Sequence, residues 1–152
     1  MVNASGPEIT RAETVTVLND LCVPAPADLA GTRITWTAVD DRRARATFSR
    51  AGHTVSADLL FNEHDQLVDF SSDDRYAASP DGKTFQRRRW STPLHNYRSF
   101  HGRTISASGL ACWEASEPDG QFAYLDIEVD EITYQPGVAQ ELPATSASEE
   151  AA

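Results

Sequence analysis

The chain has 152 residues, the size of one domain, and its 23 acidic against 13 basic side chains give a formal net charge of −10. A field of that sign repels phosphate, so we expect neither nucleic acid nor an anionic membrane surface as a partner. No apolar run approaches the ~20 residues of a membrane span, and residues 1–8 lack the basic and apolar regions of a signal peptide, so a cytoplasmic protein is expected.

Cysteine and histidine spacing gives no sign of a metal site. Cys22 and Cys112 lie in apolar contexts without C-x-x-C spacing, so we expect reduced thiols that pack as small apolar side chains. The four histidines also lack the spacing of metal ligands; they are His53, His64, His95 and His101. Since G-x-S-x-G, G-x-G-x-x-G and P-loop motifs are missing too, we predict no catalytic residue, metal or other cofactor.

One amphipathic helix is predicted after a polar lead-in at residues 1–9. Thr10 and Glu13 have the spacing of a capping box, which predicts a helix start at Thr10. One face then carries an apolar stripe of Val15, Leu18 and Cys22. Pro24 ends the pattern. A helix of this length is marginal alone in water, so we expect it to pack on a sheet.

From Ile34 the apolar period changes to two, which predicts a meander of four strands. The predicted strands are Ile34–Val39, Arg43–Arg50, Thr54–Asn62 and Gln66–Ser72. Turns are expected at 40–42, 51–52 and 63–65. Alternation places the apolar residues of the second and third strands on one buried face; they are Ala44, Ala46, Phe48, Val55, Ala57, Leu59 and Phe61.

The second half of the chain predicts four more strands. Residues 73–83, with a Ser-Pro-Asp-Gly turn, are expected to be the longest break in the domain. The strands that follow are 84–91, 95–100, 103–114 and 121–134, joined at Pro93, at 101–102 and at 118–120. Residues 136–152 contain no aromatic side chain and predict a disordered acidic tail.

Together these elements predict a single β-rich domain over residues 10–135. Its class is α+β, with one N-terminal helix packed on a strongly curved antiparallel meander of about seven or eight strands. The segment Phe85–Tyr134 holds two of the three Trp and three of the four Tyr, so we expect the core to be built on it.

Five aromatic residues are the candidate ligand-binding set: Trp36, Trp90, Tyr97, Trp113 and Tyr124. Ordinary core packing is the competing explanation, because sheets of this size need large apolar side chains. Trp90 and Tyr97 flank the predicted connection at 91–96, which places them at the mouth of a pocket. Many aromatic side chains with few polar groups are typical of a site for an apolar ligand.

The charged clusters are interpreted as structural. Arg87, Arg88 and Arg89 alternate between strand faces, so they do not form one basic patch. Their expected partners are the acids of the last strand, namely Asp126, Glu128, Asp130 and Glu131. The neighbouring acids at 40–41 and 73–74 are expected to form turns.

Several segments resemble a bacterial family known only as a domain of unknown function. They are Ala4–Glu8, Trp36–Ala46, His53–Ser56, Trp90, Tyr97–Gly102 and Trp113. Members of that family usually carry further strands ahead of the Ser-Gly-Pro segment, so the resemblance implies an exposed edge at Ile34–Val39 or at its neighbour, a place for homodimer pairing or aggregation. The closing hairpin is also similar to the half-barrels that carry lipoproteins and lipids in bacterial envelopes, which implies a half-barrel fold.

The leading functional expectation is non-enzymatic binding of an apolar or amphipathic small molecule in a cavity between sheet and helix. One alternative is a cyclase or isomerase in the same cavity, with His95 or Asp126 as the base. Another is a structural module whose open strand edge pairs with a second chain.

Overall fold

The structure is a computed structural model that describes residues 5–114 and 120–134. In these ranges one α-helix and one 3₁₀ helix precede seven strands in a single antiparallel sheet, whose order follows the chain and which is not closed. The elements are α1 (Pro7–Cys22), a 3₁₀ helix (Pro26–Gly31), β1 (Ile34–Asp40), β2 (Arg43–Arg50), β3 (His53–Phe61), β4 (Leu67–Ala78), β5 (Phe85–Phe100), β6 (Arg103–Glu114) and β7 (Gln121–Glu128). The predicted α+β class with an N-terminal helix on an antiparallel meander is confirmed.

Helix α1 begins at Pro7, inside the predicted polar lead-in, so the predicted start at Thr10 is wrong. Gly6 is the N-cap residue and Pro7 occupies the first turn, where its missing N–H costs nothing. The Thr10 hydroxyl donates to the Gly6 carbonyl at 3.1 Å instead of capping the helix. The Gly-Pro pair was the better start signal in the sequence.

Two of the predicted hairpin turns are two-residue loops, the shortest common connection between antiparallel strands. The two-residue loops Ala51–Gly52 and His101–Gly102 have positive φ at both positions, 51° and 78° in the first and 49° and 79° in the second. Such turns match the right-handed twist of the strands that they join, and glycine adopts the second position without strain. The β2–β3 pairing then runs without interruption from Arg50↔His53 to Arg43↔Leu60.

The predicted break at 73–83 is wrong, because β4 continues through Asp73 and Asp74 to Ala78. Only a short turn follows, closed by a hydrogen bond from the Ser79 amide to the Thr84 carbonyl at 2.9 Å. A register shift between Ser72 and Arg75 lets the long strand keep its pairing with β5. A bulge thus replaces the expected loop.

Strand β5 is continuous over 16 residues, so the predicted connection at Pro93 is also wrong. Pro93 lies opposite Asp69 within the β4–β5 ladder. The local disturbance falls three residues later, at Asn96, whose φ is 58°. Up to that point Trp90 and Leu94 are buried on one face, and beyond it Tyr97 and Phe100 are half-buried.

The core lies between α1 and one face of the sheet. The predicted helix stripe is confirmed, since Val15 and Leu18 are fully buried and Cys22 nearly so. The alternation predicted for β2 and β3 is confirmed as well. Sheet residues buried against the stripe are Ala46, Phe48, Val55, Ala57, Leu59, Leu67, Phe70, Trp90, Leu94 and Ala111. Each large side chain buried here contributes about 1.5–3 kcal/mol, which holds the helix on the sheet.

Of the predicted turn at 118–120 only Gly120 is among the described residues, and the predicted tail at 136–152 lies outside them. Cys22 and Cys112 are free and buried, as predicted. In the described ranges, no helix has both the length and the apolar character needed to cross a bilayer.

Candidate functional site

A cavity of about 400 Å³ lies between the C-terminal end of α1, the 3₁₀ helix and the sheet. We call it the helix cavity. Its lining comes from α1, the 3₁₀ helix and five of the seven strands with their turns: Cys22, Val23, Pro26, Leu29, Trp36, Leu59, Phe61, His64, Asp65, Gln66, Leu67, Tyr97, Thr104, Ile105 and Ser106. This is the position that the sequence predicted for a ligand cavity.

The lining of the helix cavity indicates a curved sheet. Trp36 is on β1 and Ile105 is on β6, yet both residues line the same space. In a flat sheet the axes of β1 and β6 would lie about 24 Å apart, given a strand spacing near 4.8 Å. A compact cavity of about 400 Å³ is much shorter than that distance. The shared lining therefore favours a sheet that curves around the end of α1.

The wall of the helix cavity is apolar and carries little charge. Burial raises the pKa of the Cys22 thiol to about 12, so that thiol is neutral at physiological pH. Burial also raises the pKa of Tyr97, whose hydroxyl donates to the Leu67 carbonyl at 2.6 Å and thereby fixes the ring. Polar side chains come mainly from the β3–β4 turn, where His64 and Asp65 are exposed. The cavity thus has an apolar wall and a wetter rim.

A second space, the hairpin groove, has a volume of about 500 Å³ and lies where the β4–β5 hairpin meets β6 and β7. It is lined by Ala77, Ala78, Ser79, Pro80, Thr84, Gln86, Arg88, Trp113, Phe122 and Tyr124. Trp113 and Tyr124 stack, with ring centroids 6.1 Å apart and an interplanar angle of 24°. The groove therefore has one flat aromatic wall.

Trp90 lies in the core and lines neither space. Only 4% of it is exposed, so the predicted position at the mouth of a pocket is wrong for this residue. Its ring meets Phe70 edge to face at a centroid distance of 6.1 Å. Its indole Nε1–H donates to the Tyr124 hydroxyl at 3.0 Å, so Trp90 supports the aromatic wall of the hairpin groove from behind.

The structure divides the five predicted aromatic residues into three places. Trp36 and Tyr97 line the helix cavity, Trp113 and Tyr124 line the hairpin groove, and Trp90 is core. Sequence reasoning missed Phe61 and Leu67 in the first space and Phe122 and Arg88 in the second. Simple alternation places Phe61 with Leu59, but the cavity that they share depends on sheet curvature, which no local pattern reports.

The two predicted catalytic bases lie elsewhere. His95 and Asp126 are exposed on β5 and β7, and neither lines the helix cavity or the hairpin groove. No group of three or more His, Cys, Asp or Glu side chains within residues 5–114 and 120–134 has a metal-binding arrangement.

The acids at 73–74 form no turn, and they, rather than the acids of the last strand, pair with Arg87 and Arg89 of β5. Asp74 is buried and accepts from Nη2 of Arg11 at 2.7 Å and from Nη2 of Arg87 at 2.8 Å. Burial opposes its ionisation, but the hydrogen bonds and the charges of the two arginines outweigh burial and lower the pKa of Asp74. Arg89 pairs weakly with the exposed Asp73 at 3.4 Å.

Asp69 has a partly buried carboxylate that is incompletely hydrogen-bonded within the described residues. Its Oδ1 is buried and finds no hydrogen-bond partner in the described part of the chain. Burial raises the pKa of Asp69 to about 6, against the opposing charge of Arg89 and a hydrogen bond from the Phe70 amide. The nearby Cys112 thiol, whose pKa is raised by burial and by Asp69, shares this environment. Asp69 lines neither space and is assigned no role in ligand binding.

The family comparison matches most of the chain. Residues 1–127 match a family of unknown function, DUF6544, and the chain belongs to that family. Neither the search of curated proteins nor that of solved structures gave a match. The resemblance that the sequence segments carried is confirmed at the level of the family.

Proposed function

We propose that this member of the DUF6544 family binds an apolar or amphipathic small molecule in the helix cavity and performs no chemistry on it. The observation that carries the proposal is the apolar wall around a space of about 400 Å³. That volume lies within the range of about 300–1,000 Å³ that small-molecule sites occupy. Polar groups at one rim would leave the polar end of such a ligand in water.

The curved, open sheet supports a carrier interpretation. A half-barrel that wraps around one helix leaves apolar space at the end of that helix, and the resemblance of the closing hairpin to envelope carriers implies such a half-barrel. The helix cavity occupies that position, beside Cys22 at the end of α1 and the following Val23. The cyclase or isomerase alternative has less support, because its proposed bases line neither space.

Titration with N-phenyl-1-naphthylamine, a neutral fluorescent dye, tests the proposal. Trp36→Ala should raise the dye's Kd at least tenfold, worth ~1.4 kcal/mol, because the variant removes the largest ring from the wall. Its circular dichroism should stay unchanged, since Trp36 is 45% exposed. Val39→Ala is the matched control: Val39 lies on the same strand, is 47% exposed and does not line the cavity.

The indole N–H signals in a ¹⁵N spectrum locate the dye. The chain has three tryptophans, of which only Trp36 lines the helix cavity and only Trp113 the hairpin groove. Dye in the helix cavity should shift the Trp36 signal. A folded wild-type protein that binds no dye, or a dye that shifts Trp113 alone, contradicts the proposal.

A second candidate function is pairing through the edge of β1. This strand is the first of the open sheet, and it exposes Trp36 and Val39. Unpaired backbone groups at such an edge can add a strand of another copy. Sedimentation over a range of concentrations tests this function: a dimer that Val39→Lys dissociates supports it, and a monomer at all concentrations contradicts it.

A further inference from the structure

Two arginines lie directly opposite each other beside the hairpin groove. Arg75 on β4 pairs in register with Arg88 on β5. Like charges at directly opposite positions destabilise a sheet unless something of opposite charge compensates them. The arginines on either side of Arg88 each pair with an aspartate of β4, whereas neither Arg75 nor Arg88 is in an ion pair with a carboxylate of the described ranges.

Arg75 is held against aromatic rings and is not fully satisfied. Its guanidinium carbon lies 4.2 Å from the ring centroid of Trp90 and 5.6 Å from that of Trp113. Its Nη1 is buried and has no acceptor among the described residues. Burial lowers the pKa of Arg75, while Tyr124 and the carboxylates of Glu13 and Asp20 on α1 act in the opposite direction. Neither of those two acids forms an ion pair with Arg75.

Arg88 lines the hairpin groove itself, and no carboxylate in the described part of the chain pairs with it there. Its Nε and Nη2 both donate to Oε1 of Gln86, at 2.9 and 2.7 Å. A neutral amide fixes the orientation of the guanidinium but supplies no negative charge. Among residues 5–114 and 120–134, the groove lining contains neither Asp nor Glu. A fixed cation at the edge of an apolar groove is the arrangement that a carboxylate, sulfonate or phosphate can complete.

The opposite wall of the groove is suited to a flat apolar body. Phe122 is 44% exposed and Tyr124 is 47% exposed, and Tyr124 is stacked with Trp113. Large aromatic side chains that are exposed together on one wall are typical of a binding surface.

We propose that the hairpin groove binds an organic anion with an aromatic or otherwise apolar body, with the anionic group held by Arg88 and the body lying on Trp113, Phe122 and Tyr124. The site is separate from the helix cavity and does not depend on the function proposed for that cavity. The net charge of −10 repels any anion. We therefore expect an anion whose apolar body also contributes to binding, rather than a bare inorganic anion.

A pair of related dyes tests this site. 8-Anilinonaphthalene-1-sulfonate carries a sulfonate on the same aromatic body that N-phenyl-1-naphthylamine has without it. The anionic dye should shift the indole N–H signal of Trp113 and leave that of Trp36 unchanged at low occupancy. Arg88→Gln should raise the Kd of the anionic dye at least tenfold, whereas the Kd of the neutral dye should change less than twofold.

Two further variants separate local from general effects. Arg50→Gln makes the same charge change on an exposed residue at the end of β2 and should leave the Kd within twofold of wild type. Arg88→Lys keeps the charge, so it should retain most of the affinity. If Arg88→Gln does not fold, Arg88→Met removes the same charge and should show the same loss. An unchanged Kd in Arg88→Gln, an equal loss in Arg50→Gln, or a shift of Trp36 without Trp113 would each overturn the proposal.

Discussion

Arg11 and Asp74 are 63 residues apart in sequence, and Nη2 of Arg11 donates to Oδ1 of Asp74 at 2.7 Å. The same carboxylate accepts from the Ser56 amide at 2.8 Å through Oδ2. Ser72 completes the connection, since its hydroxyl donates to the Ser56 carbonyl at 2.6 Å. Side chains thus continue the link between β3 and β4 beyond the last backbone pair, Asp58↔Ser71, and attach the helix to it.

We therefore expect Asp74→Asn to lower the free energy of unfolding at pH 7 by about 2–3 kcal/mol. Breaking a buried ion pair costs about 3–5 kcal/mol, and partial exposure of Arg11 and Arg87 reduces that cost here. The pKa of Asp74 is lowered in the folded state, so its contribution is present above pH 3.8 and is lost as the pH falls through the folded pKa. The difference between variant and wild type should shrink in acid.

Asp73→Asn is the matched control for this prediction, because it makes the same change one residue earlier. The Asp73 side chain is 66% exposed and its contact with Arg89 is long, at 3.4 Å. Its effect should stay within about 0.5 kcal/mol. Urea unfolding curves of both variants decide the matter, and equal effects would show that burial of Asp74 is unimportant.

Asp69→Asn should stabilise the protein at pH 7. The pKa of Asp69 is raised from 3.8 to about 6, so the folded state binds a proton more tightly than the unfolded state does. Stability from this group is full below pH 3.8 and is lost as the pH rises through about 6. A fully buried group with this shift would cost roughly 3 kcal/mol at neutral pH, and solvent screening reduces the expected gain to about 1 kcal/mol.

The measurement for Asp69 is the melting temperature of variant and wild type between pH 4 and pH 7.5. The two curves should converge at the acidic end and separate toward neutrality. Asp126→Asn, on an exposed residue of β7, should show no such separation. A gap that does not change with pH would mean that Asp69 is already solvated.

Trp90→Ala should destabilise the fold by roughly 3–5 kcal/mol, since it empties a ring-sized space in the core and leaves the Tyr124 hydroxyl without its donor. Trp90→Phe keeps most of the volume, so a smaller loss is expected. Chemical denaturation of both variants beside Trp36→Ala measures the difference. If Trp90→Ala and Trp36→Ala unfold at similar denaturant concentrations, the Trp90 side chain is not buried as the structure shows.

Gly109→Ala should cost about 1–3 kcal/mol by overpacking. A Cβ at this position would lie 2.9 Å from Cδ2 of Leu94 and 3.0 Å from the carbonyl oxygen of Pro93. In a Leu94→Ala background the nearer contact is gone, so the penalty should fall. A double-mutant cycle measures this coupling. If the two effects are additive, the contact with the Pro93 carbonyl, rather than the contact with Leu94, causes the destabilisation.

Local sequence patterns predicted those strands whose formation depends only on neighbouring residues. Alternation in β2 and β3 gave the buried face, because adjacent residues of a strand always point to opposite sides. The same reasoning failed at Asp73 and Asp74, which have turn propensity but lie inside β4. The partner that overrides this propensity, Arg11, comes from a distant helix, and no local window contains it.

The candidate site was less accessible from sequence than the fold. Aromatic content selected Trp36, Tyr97, Trp113 and Tyr124 as ligand-binding candidates, and each of them lines one of the two spaces, but ligand binding itself stays a prediction. Their division between two spaces depends on the curvature of the sheet and on the positive φ of Asn96, after which Tyr97 lines the helix cavity. Neither feature has a reliable sequence signal, since asparagine adopts positive φ only occasionally.

The neighbour-to-neighbour strand order has a kinetic consequence. Each strand pairs with the one before it, so loop-closure entropy is small and the sheet can grow one hairpin at a time. Docking of α1 onto β4 and β5 is different, because it closes separations of 63 residues at Arg11 and Asp74 and of 73 residues at Asn19 and Thr92. The helix cavity exists only after that step. A ligand in it would therefore slow unfolding and leave the folding rate nearly unchanged.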